Sequence, residues 1–196
     1  MRIISGKYKG RRINPPKNLP VRPTTDMCKE ALFNILNNNF NFTELKVLDL
    51  FSGTGSISYE FASRGAEPIT SVDGDMGCVT FIKKTAKEFD MDITAIKSDV
   101  LKFLEKHKGS YDIIFADPPY GMEQKEFEKI VELIFDNELL EEEGMLIMEH
   151  SKYTKLENSP NFSFSKTYGG SVFSFFEFDI ETDEEYDEEE IDEDTE

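Results

Sequence analysis

Two short segments carry residue types that could do chemistry. Asp49-Leu50-Phe51-Ser52-Gly53-Thr54-Gly55 runs from an apolar stretch into a glycine turn, and Asp117-Pro118-Pro119-Tyr120 closes a later apolar stretch. In the second segment neither proline has an N–H, so the backbone offers carbonyl acceptors and few donors. The residue before each proline is held extended, which fixes where those carbonyls point. With the Asp117 carboxylate they form an acceptor cluster suited to an amino group bearing two protons. Bonds from an aromatic amine to such acceptors hold its nitrogen in place and draw it toward pyramidal geometry. A lone pair otherwise delocalised into the ring is then freed for attack. Tyr120 adds a ring face on which an extruded base can stack. The plain alternative is a Pro-Pro turn that ends a strand.

In the first segment the glycines permit a tight turn and close backbone approach. A lone Gly-x-Gly also fits an ordinary strand-to-helix turn. Two details sharpen it. Ser58 stands where a dinucleotide fingerprint has its third glycine, and Asp49 would repel a pyrophosphate. S-adenosylmethionine brings an ammonium and a sulfonium and no phosphate, so an acid there is favourable. Asp73, eighteen residues after Gly55, ends the next apolar run and can accept from both ribose hydroxyls. Ser98-Asp99 ends a third run and is expected to reach the adenine edge. Together these residues predict methyl transfer from S-adenosylmethionine to an exocyclic nitrogen of a nucleobase.

The elements that must position these residues alternate. Strands are expected over 47–51, 68–73, 93–97, 111–116 and 145–149, and helices over 56–64, 76–89, 100–106 and 124–135. Such repeats of strand and helix argue for a parallel α/β sheet with helices on both faces. Residues 162–166 and 172–179 flank Gly169-Gly170 and suggest an antiparallel hairpin. Upstream, 26–40 reads as a helix with Cys28, Leu32, Ile35 and Leu36 in one stripe and Thr25 as its cap. Residues 2–13 form either a small hairpin or an ordered arm. The expected division is a basic arm and helix over 1–42, a catalytic domain over 43–180, and a disordered acidic tail over 181–196.

The 196 residues carry a formal net charge of −18, which looks wrong for an enzyme of nucleic acids. The charge is polarised. From 177 to the end there are 14 acidic residues and no basic one, whereas 1–25 holds seven basic residues and no acidic one. The arm is therefore expected to touch RNA phosphates through Lys7, Lys9, Arg11, Arg12 and Arg22. Cys28 and Cys78 lack metal-ligand spacing and His107 and His150 are isolated, so no metal is expected. No apolar run suits a bilayer, and a cytoplasmic monomer is expected.

The N-terminal third is more specific. Arg2-Ile3-Ile4-Ser5-Gly6-Lys7-Tyr8-Lys9-Gly10-Arg11, Arg22-Pro23-Thr24-Thr25-Asp26 and Glu30-Ala31-Leu32-Phe33-Asn34 resemble the bacterial RsmD-like 16S rRNA guanine-N2 methyltransferases. Ser63-Arg64-Gly65-Ala66 and Tyr168-Gly169-Gly170 fit the same pattern, and the resemblance covers about residues 1–179. It implies a Rossmann-like class I methyltransferase: a seven-stranded, mostly parallel sheet with a C-terminal antiparallel hairpin and a small N-terminal extension. It implies transfer to guanine N2 in 16S rRNA, free or in a small-subunit assembly particle. Carried over by position, Asp49, Phe51, Ser52, Gly53, Thr54, Gly55, Asp73, Ser98 and Asp99 would hold the cofactor. Asp117, Pro118, Pro119 and Tyr120 would hold the amine, with Arg22, Thr24 and Thr25 near the substrate. Asp73 replaces a usual Glu, and Met27-Cys28-Lys29 occupies a stretch where relatives often carry arginines. Two rival readings are a DNA adenine-N6 methyltransferase and a non-catalytic RNA-binding assembly factor on the same fold.

Overall fold

A computed structural model describes residues 1–21 and 24–179. The acidic tail and Arg22 therefore lie outside the described residues. The elements run α1 (Asp26–Asn39), β1 (Val47–Leu50), α2 (Ser56–Ser63), β2 (Ile69–Asp73), α3 (Met76–Phe89) and β3 (Ile93–Lys97). They continue with α4 (Val100–Lys106), β4 (Tyr111–Ala116), α5 (Gln124–Asp136), β5 (Leu140–Ser151), β6 (Phe162–Tyr168) and β7 (Ser171–Phe176). The strands form one seven-stranded sheet in the order β3-β2-β1-β4-β5-β7-β6. β3, β2, β1, β4 and β5 are parallel, and β7 pairs antiparallel with both β5 and β6. The expected fold class is thus borne out.

Strand alternation assigns the two faces. Leu48 and Leu50 of β1, Ile114 and Ala116 of β4, and Leu146 and Met148 of β5 join one apolar cluster with Phe103 of α4 and Ile130 of α5. Val47, Ile113, Phe115, Met145 and Ile147 point the other way, onto Leu32, Phe33 and Leu36 of α1 and Phe61 of α2. α1 starts where Thr25 accepts the Cys28 N–H at 3.2 Å, as its residue type suggested. Its buried stripe is Cys28, Lys29, Leu32, Phe33 and Leu36, while Ile35 sits at the edge. β5 begins five residues earlier than its apolar core suggests, because its start pairs with Tyr111 across an irregular register.

Of the two expected forms, the N-terminal segment takes the ordered arm and not a full hairpin. Arg2 and Arg12 form an isolated antiparallel bridge, and Ile3 and Ile13 are buried against Tyr59 and Val79. Glu60, fully buried on α2, ties the arm down. It accepts the Ile4 and Ser5 N–H groups at 2.8 and 3.0 Å, and it pairs with Arg64 at 3.0 Å and with Lys29 at 3.6 Å. The Lys29 ammonium also donates to the Arg2 carbonyl at 2.6 Å and the Ser56 hydroxyl at 3.2 Å. Gly6, at φ +82°, lies so close to the end of α2 that a Cβ would stand 1.8 Å from the Ser63 carbonyl oxygen. Among the described residues no helix is long and apolar enough to cross a membrane.

Candidate active site

β1 and β4 are sheet neighbours although β2 and β3 intervene in sequence. Chain direction across the sheet reverses there, and ligands of open α/β sheets bind outside the strand ends at that point. A cavity of about 640 Å³ opens at this place, within the usual range for small-molecule sites. Its lining includes Asp49, Phe51, Ser52, Gly53, Thr54, Asp73, Asp117, Pro118, Pro119 and Tyr120. Thr24 and Thr25 reach it from the segment before α1, and Gly169, Gly170 and Ser171 from the β6–β7 turn.

The glycine loop is held by hydrogen bonds to β2. Ser52 N and Oγ both donate to the Val72 carbonyl, at 3.1 and 3.2 Å. Gly53 N donates to Asp73 Oδ2 at 2.8 Å, and Asp75 N donates to Asp73 Oδ1 at 2.8 Å. Asp73 is thereby fixed, and each oxygen keeps lone-pair capacity for a ligand hydroxyl. Phe51, Gly53 and Gly55 all have positive φ. At Gly55 the space is closed as well: a Cβ would meet Tyr59 Cζ at 2.8 Å and Ile82 Cγ1 at 2.9 Å. Gly55 thus shapes the loop from behind without itself lining the cavity.

Asp49 projects toward α2, where the Ser58 hydroxyl donates to its Oδ2 at 2.5 Å. Ser58 in turn shares a 2.7 Å bond with the Ser71 hydroxyl. The residue that breaks the dinucleotide fingerprint is therefore the one that positions Asp49. Burial pushes the Asp49 carboxyl up to about 7, against the lowering effect of Ser58. Asp117 follows β4, and its N–H reaches the Leu50 carbonyl at 3.4 Å, so it stays in register with the end of β1. Its carboxyl is also raised, first by burial and then by the charges of Glu149 and Asp49. Two exposed side chains also line the cavity, Tyr120 at 75% and Met27 at 64%.

Five carboxylates, those of Asp49, Asp73, Asp75, Asp117 and Glu149, line the cavity, and none of its described lining residues is basic. Such a site disfavours a phosphate and favours a ligand with positive charge. These acceptors fit the ammonium, sulfonium and ribose hydroxyls of S-adenosylmethionine. The structure does not bring Ser98 and Asp99 to the cavity. Asp99 instead caps α4 by accepting the Lys102 N–H at 3.0 Å, and the Ser98 hydroxyl donates to the Asp99 carbonyl.

Lys7, Lys9, Arg11 and Arg12 are exposed. They lie along α2, because Lys7 and Tyr8 donate to Ser63 at its far end while the Arg2 carbonyl is tied through Lys29 to Ser56 at the near end. Among the described residues no group of His, Cys, Asp and Glu could hold a metal. His107 stacks between Phe103 and Tyr111, and His150 is buried, bonded to the Ser174 hydroxyl at 2.7 Å. Glu149 escaped the sequence reading. Its sequence context is an ordinary strand end, and only the pairing of β5 with β4 brings it to Asp117.

A family model described as Conserved hypothetical protein 95 matches residues 1–177. The chain belongs to this family. The RsmD-like resemblance is thereby borne out over the length on which it was read. The YlbH protein of Bacillus subtilis is 33% identical over 161 residues, spanning 80% of this chain and 85% of its own. Ribosomal RNA small subunit methyltransferase D of Escherichia coli K12 is 30% identical over 163 residues, spanning 82% and 79%. The solved structure of yhhF from Escherichia coli superposes with a TM-score of 0.80 at 26% identity, covering 91% of this chain and 98% of that one.

Proposed function

We propose that this family member is an enzyme that moves the methyl of S-adenosylmethionine to N2 of a guanine in 16S rRNA. The observation that carries the reading is the pairing of β1 with β4. It sets Asp49 and its glycine loop beside Asp117-Pro118-Pro119-Tyr120 in one acidic cavity. S-adenosylmethionine, when bound, supplies an electrophilic methyl on a sulfonium. Asp49 would face its ammonium, and Asp73 would accept from its ribose hydroxyls. The Asp117 carboxylate and the Pro118 carbonyl accept the two protons of the guanine amine and aim its lone pair. Tyr120 stacks on the extruded base. The methylated nitrogen is acidic enough to pass its proton to a carboxylate or to water.

The exposed cations of the arm make a stripe from the cavity side of α2 to its far end. They bind rRNA phosphates and so position the target without reading its sequence. We take the enzyme to act as a monomer on 16S rRNA or on a small-subunit particle.

The test is nucleoside mass spectrometry of 16S rRNA from cells lacking the gene. One N2-methylguanosine should be missing, and it should return when the purified protein and S-adenosylmethionine are added. An unchanged pattern refutes the assignment. Formation of N6-methyldeoxyadenosine in added DNA instead would favour the DNA adenine-N6 alternative.

A further inference from the structure

We propose that Glu149 distinguishes guanine from adenine at this site, by accepting the N1–H that lies beside the amine held at Asp117. The proposal rests on the guanine-N2 reading above and names the residue that enforces it.

Ala116 pairs with Met148, so the next residues, Asp117 and Glu149, are neighbours across the parallel strands. Adjacent strands lie about 4.8 Å apart, and side chains in register point to the same face. Met145 and Ile147 point toward α1 and α2, and so by alternation does Glu149. Glu149 and Asp117 line the same cavity. Glu149 is only 9% exposed, and across β7 its register partner is Phe173. A carboxylate at the wall of this cavity offers an acceptor to a bound ligand that needs one.

The chemistry of the bases identifies what needs it. The Watson–Crick edge of guanine presents two adjacent donors, the N1–H and the N2 amine. Adenine presents its N6 amine beside N1, which carries a lone pair and no hydrogen. Two neighbouring carboxylates therefore match guanine. The donors of guanine also relieve the repulsion between those carboxylates, whereas the lone pair of adenine would add to it. A polar site that must leave a buried group unmatched rejects the wrong substrate far more strongly than an apolar pocket does. Asp117-Pro118-Pro119-Tyr120 suits any amine, so selection between bases falls to the group beside it.

The test compares two forms of one substrate. Small ribosomal subunits are reconstituted with 16S rRNA ligated to carry either guanosine or 2-aminopurine ribonucleoside at the position the wild-type enzyme marks. 2-Aminopurine keeps the N2 amine but has a lone pair at N1. The wild-type enzyme should prefer guanine by roughly ten-thousandfold in kcat/KM. Glu149→Gln is nearly isosteric, and its amide can turn an N–H toward the lone pair. It should cut that preference at least about tenfold. Glu149→Ala should cut it similarly, by slowing guanine and sparing 2-aminopurine. The affinity for S-adenosylmethionine, measured by calorimetry, should stay within about twofold in both variants.

A guanine preference equal in wild type and both variants overturns the assignment. So does loss of S-adenosylmethionine binding in both, which would make Glu149 a structural residue. If the wild-type enzyme forms no N2-methylguanosine, the guanine reading itself falls. If it forms N2-methylguanosine and the preference does not move, only the role of Glu149 falls.

Discussion

Titration of Asp49 should make binding of S-adenosylmethionine depend on pH below neutrality. In the free protein burial raises this carboxyl to about 7, from an ordinary value of 3.8. Below that pH the group is mostly neutral, and a cationic ligand needs it ionised. Binding then expels a proton, and the affinity weakens as pH falls. The expected slope is about tenfold in Kd per pH unit below 7, levelling off above it. The same shift acts on folding. A carboxyl whose folded pKa is raised favours the fold fully below its unfolded value, and that contribution is lost as pH rises through the folded value. The protein without ligand should therefore lose stability between about pH 4 and 7, and the ligand should restore it. The assay is calorimetry at pH 5.5, 6.5 and 7.5 in two buffers of different ionisation enthalpy, which also counts the protons released. Asp49→Asn should bind at pH 7.5 about as weakly as wild type does at pH 5.5, with a flatter slope. Asp117→Asn serves as a control, because its carboxyl is raised as well. A wild-type Kd that is flat over this range, or a slope unchanged in Asp49→Asn, refutes the reasoning.

Other substitutions report on other parts of the structure. Asp117→Ala should keep S-adenosylmethionine binding and lower turnover by about two to three orders of magnitude; turnover within tenfold of wild type contradicts its role. Gly55→Ala combines a φ of +82° with a Cβ 2.8 Å from Tyr59. It should cost about 1–3 kcal/mol in denaturant titration and weaken ligand binding. Glu60→Ala leaves Lys29 buried without its carboxylate and removes the acceptor of the Ile4 and Ser5 N–H groups. It should cost about 3–5 kcal/mol and open the arm to proteolysis; an unchanged digestion pattern would show that other contacts hold the arm. Charge reversal at Lys7, Lys9, Arg11 and Arg12 should weaken RNA binding and flatten its salt dependence, with S-adenosylmethionine affinity unaltered.

The relation between sequence and structure differs from element to element. Glycine turns, proline pairs and apolar runs are local signals, and they placed α3, β3, α4 and β4 at their observed bounds. Local signals also marked the two chemical segments, since the demands of a tight turn and of an acceptor cluster are met by consecutive residues. Ser98-Asp99 shows the limit of that logic. β3 is the edge strand, and Asp99 became a cap.

The amino-acid sequence alone marked the Asp-Pro-Pro-Tyr segment, the glycine loop with its acids, the family and the alternation that makes a parallel sheet. Tertiary structure alone decided that Ser58 holds Asp49, that buried Glu60 and Lys29 fasten a basic arm along α2, and that Glu149 stands beside Asp117. The physical reason is sequence separation. A turn or a cap is satisfied by neighbours a few residues apart. The partner of a buried carboxylate is set by strand order and register, and those follow from burying the apolar faces of the whole sheet at once.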